Sequence, residues 1–209
     1  MRTFFLSCAI ALLAWPVQAR QDGTPAGTAG DADRDTIEMH VGIPGLVYVG
    51  QSLAELKTRF SEIESSNFAG DEKVRIVRIV DRGVSCFVAG DSEEAMQVIS
   101  VGFNFEGTYE GVGESGYRTI EGIGKGSTVN DLLGIYGRAE ITSAGQKSFM
   151  QRRKANARPD PNEPKKYLFA SDDGRVKTYF QSEGAQVVRM VINHLALIDQ
   201  YILKRQTPR

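Results

Sequence analysis

Alternating hydrophobic and polar residues predict two groups of three β-strands. The first group covers residues 73–80, 84–88 and 98–106. The second group covers residues 166–171, 175–181 and 185–193. A period of two places every second side chain on the same face of a sheet, and the Gly, Asp and Ser residues between the stretches suit tight turns. Each group is therefore predicted to form a three-stranded antiparallel meander.

A helix start occurs twice, once before each group of strands. GQSLAELKTRFS at residues 50–61 is echoed by GSTVNDLLGIYG at residues 126–137, an offset of 126 − 50 = 76 positions. In each copy a hydroxyl, Ser52 or Thr128, is followed three residues later by a carboxylate, which is the pattern of a capping box. Apolar residues then recur at helical spacing. We predict two helices of about three turns, each followed by a meander.

These patterns predict an α+β fold of two tandem repeats, each with a helix packed on a short antiparallel sheet. Short apolar stretches before the helices, residues 37–41 and 117–120, could add a fourth strand to each repeat. Leu195, Ile198, Tyr201 and Ile202 predict an amphipathic C-terminal helix. The predicted order is a signal peptide (1–19), a tether (20–36), repeat 1 (37–110), a Gly-rich linker (111–116), repeat 2 (117–194) and a C-terminal helix and tail (195–209).

The first residues have the pattern of a secretory signal peptide. Arg2 precedes an apolar run from Phe4 to Trp15, and the small residues near Ala19 favour cleavage after it. The run is too short for a bilayer span, and we expect no transmembrane segment. Residues 20–36 contain no large apolar side chain to offset their ordering entropy, so they are predicted to be a disordered tether. We expect a periplasmic or secreted protein.

Cysteine usage limits how the exported chain is stabilised. Cleavage after Ala19 removes Cys8 and leaves Cys86, so no internal disulfide can form. Cys86 lies between Val84 and Val88 in an alternating run, where a small buried residue is expected. The fold is therefore predicted to depend on its hydrophobic core alone.

Charge is distributed unevenly although the formal net charge is −1. Residues 31–116 hold 16 acidic and 7 basic residues, a difference of −9, whereas residues 117–209 hold 9 acidic and 16 basic residues, a difference of +7. The two predicted repeats therefore carry opposite charge. This charge distribution has two interpretations. The repeats attract one another or are simply solvated, or they form a bipolar surface that steers a charged partner.

Much of the positive excess lies in residues 146–166, an insertion without a counterpart in the first repeat. Its basic residues are the candidate partner-binding residues: Lys147, Arg152, Arg153, Lys154, Arg158, Lys165 and Lys166. Loops of this length are uncommon in compact domains and tend to be functional or disordered. A protein or an anionic envelope component, such as lipid headgroups or polysaccharide, is the expected partner. Nucleic acid is not expected for an exported chain of nearly neutral charge.

Three sequence features resemble nucleotide-binding or metal-binding motifs, but each lacks neighbouring residues or elements that such a site requires. Residues 111–116 have Gly-x-Gly-x-x-Gly spacing, but a strand-like stretch follows where the dinucleotide fingerprint requires a helix. Residues 124–128 resemble part of a P-loop, but Lys125 is followed by Gly. His40 and His194 are too far apart in sequence to suggest a metal site, and are more typical of surface or strand residues. We expect no cofactor, metal ion or catalytic residue.

The segment GSTVNDLLGIYG resembles the helix signature of the tandem domains in β-lactamase inhibitory proteins, an element shared with BamE-like envelope proteins. The resemblance implies two repeats, each with helical elements on an antiparallel sheet, and a non-catalytic binding role. The inhibitors carry disulfides that this mature chain cannot form, and no inhibitory loop is matched. No functional residue is therefore carried over from the resemblance.

The sequence favours an exported, non-catalytic binding or adaptor protein of the cell envelope. A proteinaceous inhibitor of a hydrolase is the alternative, because the same fold permits it. An enzyme with an unrecognised site comes third. The oligomeric state stays open.

Overall fold

The computed structural model describes residues 36–143 and 164–203, so the predicted signal peptide and nearly all of the tether lie outside the described residues. The elements within these ranges, in chain order, are β1 (Thr36–Ile37), β2 (Gly42–Ile43), β3 (Val47–Tyr48), α1 (Leu53–Arg59), β4 (Glu64–Phe68), β5 (Asp71–Ile79), β6 (Val84–Ala89), β7 (Gln97–Asn104), β8 (Arg118–Thr119), α2 (Val129–Tyr136), β9 (Glu140–Ser143), β10 (Lys165–Ala170), β11 (Val176–Glu183), β12 (Gln186–His194) and α3 (Leu195–Ile198). The fold is thus mixed, with three short helices and a predominance of strands.

Eight of the strands form one sheet, in the order β4-β5-β6-β7-β12-β11-β10-β9. Every neighbouring pair in it is antiparallel. The last strands of the two groups, β7 and β12, meet at the centre, where Ser100 lies opposite Asn193 and Asn104 lies opposite Arg189. Each half of the sheet is a four-stranded meander preceded in sequence by a helix.

The six strands predicted from alternation correspond to β5, β6, β7, β10, β11 and β12, and their ends agree within about two residues. A short strand does precede each helix, as predicted, but it is not the fourth strand of either meander. The fourth strands, β4 and β9, follow the helices instead of preceding them. The stretches before the helices contribute β1 and β8, which pair with each other in parallel outside the main sheet. Thr36, placed in the tether by the sequence, belongs to β1.

Both predicted capping hydroxyls begin a helix. The backbone N–H of Glu55 donates to Ser52 Oγ (3.1 Å) at the start of α1. At the start of α2 the box is reciprocal, because Asp131 N–H donates to Thr128 Oγ1 (3.2 Å) and Thr128 N–H donates to Asp131 Oδ2 (2.8 Å). The helices have 7 and 8 residues, about two turns and not the predicted three. α1 is the shorter because Phe60 adopts an extended conformation, from which the chain enters β4.

Each helix entry is joined to the last strand of its own half by a matching pair of backbone hydrogen bonds. These bonds, written as donor to acceptor, are Leu53 to Met96 (2.9 Å), Val98 to Gln51 (2.8 Å), Val129 to Ala185 (2.8 Å) and Val187 to Ser127 (2.9 Å). The helix starts of both halves are therefore fixed at comparable positions relative to the central strands.

The main hydrophobic core contains one set of alternate side chains from the sheet. Cys86, Phe103, Phe180 and Ile192 are fully buried in it, in one cluster with Leu56 of α1 and Leu132 of α2. The prediction that Cys86 is a buried strand residue is confirmed, and its thiol is free. Burial raises the pKa of this thiol, because the thiolate would lose its hydration.

A smaller hydrophobic cluster forms where the C-terminal segment contacts strands β5, β6 and β7. α3 begins at Leu195 as predicted but spans four residues, and a wider π-type turn, Asp199–Leu203, continues it. Side chains of this segment, including Ile198 and Tyr201, pack against the cluster formed by Val74, Ala89 and Ile99. No helix within residues 36–143 and 164–203 is long and apolar enough to cross a membrane.

Candidate functional site

A cleft of about 300 Å³ lies over β6, β7 and β12. Its apolar end is formed by Phe68, Phe87, Ile99 and Ile198, and its polar end includes Ser85, Glu110, Tyr179 and Arg189. Strand alternation explains which side chains reach it. In β6 and β12, Cys86, Met190 and Ile192 belong to the main core, while the intervening residues border the cleft. We call this side of the sheet the cleft face.

Arg189 is the central polar residue of the cleft, with a side chain only 5% exposed. Its Nη2 donates to Glu110 Oε2 (3.0 Å), and it lies 3.3 Å from Ser85 Oγ. Ser85 Oγ donates in turn to the same Glu110 oxygen (2.7 Å). The guanidinium also stacks on the Tyr109 ring, with Cζ 3.7 Å from the ring centre. A buried cation requires such partners, because desolvation alone would make it very costly.

The absence of a side chain at Gly102 makes room for this arrangement. A β-carbon there would lie 2.8 Å from Arg189 Nη2 and 3.0 Å from Ser85 Oγ. Both distances are shorter than ordinary contacts, so a larger residue would push the guanidinium away from its partners. Gly102 on β7 thus positions two residues contributed by the neighbouring strands β6 and β12.

Glu110 reaches Arg189 from the loop between β7 and β8. Its φ of 53° lies in the left-handed region, which is uncommon for a residue other than glycine. The Glu110 carbonyl accepts a hydrogen bond from Arg78 Nε. Asn104 Nδ2 donates to the carbonyls of Tyr109 (3.2 Å) and Val112 (3.0 Å). The backbone around Glu110 is therefore fixed at several points above the cleft.

Two of the predicted partner-binding residues, Lys165 and Lys166, are the first residues of β10, and the predicted strand 166–171 already included Lys166. Lys166 Nζ is 4.6 Å from the centre of the Tyr179 ring, which borders the cleft. Burial, followed by repulsion from Arg189, lowers the pKa of Lys166. Burial also raises the pKa of Tyr179. The other five predicted residues, Lys147, Arg152, Arg153, Lys154 and Arg158, lie outside the described residues.

The two histidines have different hydrogen-bond partners. The backbone N–H of His40 donates to Thr178 Oγ1 (3.1 Å), and its Nδ1 lies 2.9 Å from the same oxygen. Burial lowers the pKa of His40. His194 Nδ1 accepts from the Leu197 N–H (3.5 Å) at the start of α3. Within the described parts of the chain, no three His, Cys, Asp or Glu side chains are grouped as potential metal ligands.

The glycine-rich segment 111–116 leads into β8, so no helix opens directly after it. Val112 in this segment is buried, and its carbonyl accepts a hydrogen bond from Asn104. The segment therefore contributes to holding the loop that carries Glu110.

Comparisons of the chain with protein-family models, curated proteins and solved structures find no match. The chemical character of the cleft is therefore inferred from its own residues. It combines an apolar wall with a buried ion pair and a hydroxyl. This combination suits binding of a ligand that has an apolar body and a charged or hydrogen-bonding end.

Sequence reasoning did not identify Ser85, Tyr109, Glu110, Tyr179 or Arg189 as site residues. One signal was available, because Arg189 interrupts the apolar run VVRMVI in a predicted strand. A charge at such a position needs a partner once the strand is buried. Glu110 is 79 positions away in a glycine-rich loop, and no sequence pattern connects the two residues.

Proposed function

We propose that the protein is a non-catalytic binding module whose recognition surface is the cleft face of the sheet. The observation that carries this proposal is the cleft of about 300 Å³, in which an apolar wall adjoins the Arg189–Glu110 pair. Ligand sites are typically concave and mostly apolar, with a few polar groups that fix orientation. Both features occur together here.

The bonding of Ser85 favours binding over nucleophilic catalysis. An activated serine requires an adjacent base that can take its proton. The group next to Ser85 is Glu110, whose Oε2 accepts from both Ser85 (2.7 Å) and Arg189 (3.0 Å). That oxygen is already engaged by the Arg189 guanidinium, and no histidine lines the cleft among the described residues. The polar end of the cleft is therefore better suited to orienting a ligand than to transforming it.

The order of elements supports two tandem repeats of the kind implied by the resemblance to β-lactamase inhibitory proteins. In each half a helix is followed by a four-stranded antiparallel meander, and the two meanders meet through their last strands. The matching backbone bonds at the helix entries, Leu53 to Met96 and Val129 to Ala185, also favour this proposal. In such an arrangement the cleft forms across the junction of the two repeats.

We further propose that the protein is exported and acts in the cell envelope, as the pattern of residues 1–19 predicts. The basic segment 146–166 follows β9 in sequence and ends in the first two residues of β10, where Lys166 contacts Tyr179 beside the cleft. Clustered positive charge near a binding face accelerates the approach of an anionic partner. We therefore assign the basic residues a steering role toward the cleft face.

Site-specific photo-crosslinking tests this function. A photoreactive amino acid would replace Phe68, which is 37% exposed at the rim of the cleft, and in a matched control Ala54, which is exposed on α1. In an envelope extract of the source cells, we expect a discrete adduct from position 68 and only background labelling from position 54. Equal labelling at both positions, or none at position 68, would refute the proposed recognition surface.

The identity of the adduct distinguishes the candidate roles. A structural envelope component would support an adaptor, whereas a hydrolase that loses activity when bound would support the inhibitor alternative. Turnover of a bound molecule that disappears in Ser85→Ala would refute the non-catalytic assignment.

A further inference from the structure

We propose that Glu110 occupies the carboxylate position of a ligand, and that the cleft binds a small amphipathic monocarboxylate whose head group replaces Glu110 on Arg189 and Ser85. This ligand assignment rests on the proposed binding role of the cleft face. It adds the chemical class of the ligand and a competing residue within the chain.

Arg189 has unused capacity for a carboxylate. Its Nη2 pairs with Glu110 Oε2, but its Nε, although buried, has no hydrogen-bond partner among the described residues. Guanidinium and carboxylate groups frequently pair through two parallel hydrogen bonds. A free carboxylate can adopt that orientation, whereas Glu110 is restricted by its backbone. The stacking of Tyr109 on the guanidinium and the space left by Gly102 already hold Arg189 in place.

Glu110 can leave without opening the loop. Its side chain is 23% exposed, so rotation about its own bonds can move the carboxylate from Arg189 toward solvent. The backbone would stay held, because the Glu110 carbonyl accepts from Arg78 and the neighbouring carbonyls accept from Asn104. An incoming carboxylate would accept the same hydrogen bonds that the Glu110 carboxylate accepts before it rotates away. Ser85 can donate to either carboxylate in the same direction.

The remainder of the cleft determines the body of the ligand. Phe68 and Phe87 meet edge to face, with ring centres 5.2 Å apart, and Ile99 and Ile198 also line this end. Arg189 is the one cation among the described residues that line the cleft, so a second carboxylate would lack a counter-charge and a dicarboxylate is disfavoured. The volume of about 300 Å³ is at the lower end of the roughly 300–1,000 Å³ range of small-molecule pockets. The expected ligand is therefore a compact monocarboxylate with an aliphatic or aromatic body.

Isothermal titration calorimetry of the intact protein with decanoate tests this inference. Glu110→Gln removes the competing carboxylate and should tighten decanoate binding by about tenfold, which corresponds to ~1.4 kcal/mol. Glu106→Gln is the matched control, because Glu106 is on the same loop but is not bonded to Arg189 or Ser85. We expect its affinity for decanoate to equal that of the wild type. Neutral 1-decanol should gain nothing from Glu110→Gln.

Further variants keep the test informative if Glu110→Gln folds poorly. Glu110→Asp retains the charge on a shorter side chain that reaches Arg189 less well, and it should tighten decanoate binding to a smaller extent. Arg189→Met should weaken decanoate binding by roughly tenfold or more, because it removes the charge-assisted hydrogen bonds between the guanidinium and the carboxylate of decanoate. Circular dichroism would establish that each variant is folded.

Equal or weaker decanoate binding by folded Glu110→Gln and Glu110→Asp would overturn the inference, because Glu110 would then not be a competitor. Equal gains for decanoate and 1-decanol would overturn the carboxylate assignment. Binding of a short peptide ending in Phe, without binding of decanoate, would overturn the small-molecule assignment. If decanoate fails to bind while crosslinking at position 68 persists, the ligand class is refuted and the proposed recognition surface stands.

Discussion

A double-mutant cycle on folding stability can measure how strongly Arg189 and Glu110 depend on each other. The variants are Arg189→Met, Glu110→Gln and the combination, which removes both charges while keeping side chains of similar length. If the two residues act as a pair, the combined variant should lose less stability than the two single variants added together.

The expected magnitudes follow from burial. The side chains of Arg189 and Glu110 are 5% and 23% exposed. Removing one partner of a buried ion pair typically costs about 3–5 kcal/mol, because the other charge is left uncompensated. We expect about 3 kcal/mol for Arg189→Met, because Glu110 is partly solvated and keeps its bond to Ser85. Glu110→Gln keeps an accepting oxygen and should cost about 1–3 kcal/mol. A coupling energy of about 1–2 kcal/mol should result.

Urea unfolding at pH 7, followed by far-ultraviolet circular dichroism, would supply the free energies of unfolding. The matched control is the exposed pair Lys125–Glu114, with side chains 59% and 43% exposed. Its cycle should show coupling close to zero, because solvent screens exposed pairs. A coupling for Arg189 and Glu110 no larger than that of the control would refute the view that they form one interacting unit.

Three other predictions concern local features. Cys86 should resist alkylation in the native state and react after unfolding, because it is fully buried and burial raises its pKa; rapid native labelling, located by peptide mass spectrometry, would contradict this. Burial lowers the pKa of folded His40 below 6.5, although the charges of Asp172 and Asp173 oppose this shift. The folded state is therefore not penalised by His40 above pH 6.5, and it loses stability as the pH falls from there through the lowered folded pKa. His40→Asn, which tolerates the left-handed φ of 69°, should flatten the melting-temperature profile below about pH 7, and an unchanged slope would disprove the assignment. Thr128→Ala should cost about 1 kcal/mol in urea unfolding and no less than Ser52→Ala, because the Thr128 box is reciprocal; a larger loss at Ser52 would contradict this.

The sequence predicted the strands with a regular apolar face and did not predict the two outermost strands. β7 and β12 each place several apolar side chains on one face, so their positions were readily recognised. β4, with the sequence ESSNF, is exposed along its whole length and has no such pattern. It forms by backbone pairing with β5, which depends on tertiary structure. β9 is similarly short, and its pattern is limited to four residues.

The site was less predictable than the fold because its residues come from distant parts of the sequence. Ser85 and Arg189 border one cleft because β6 and β12 lie on either side of β7. Sequence periodicity predicts strands but does not determine their order. Most of the basic residues predicted to bind a partner lie outside the described residues. Among the described ones, the side chain of Lys166 contacts Tyr179, which lines the cleft.

The pairing of β7 with β12 also has a consequence for how the protein is made. β12 is the last strand of the sheet in chain order, so β7 has no partner on one side until residues 186–194 have been synthesised. During that interval β7 exposes a row of unpaired N–H and C=O groups, which can template pairing with another nascent chain. The central contact also closes the largest loop in the sheet, so we expect it to form late in folding. Until β12 pairs with β7, the chain therefore has both an unpaired strand edge and an incomplete cleft.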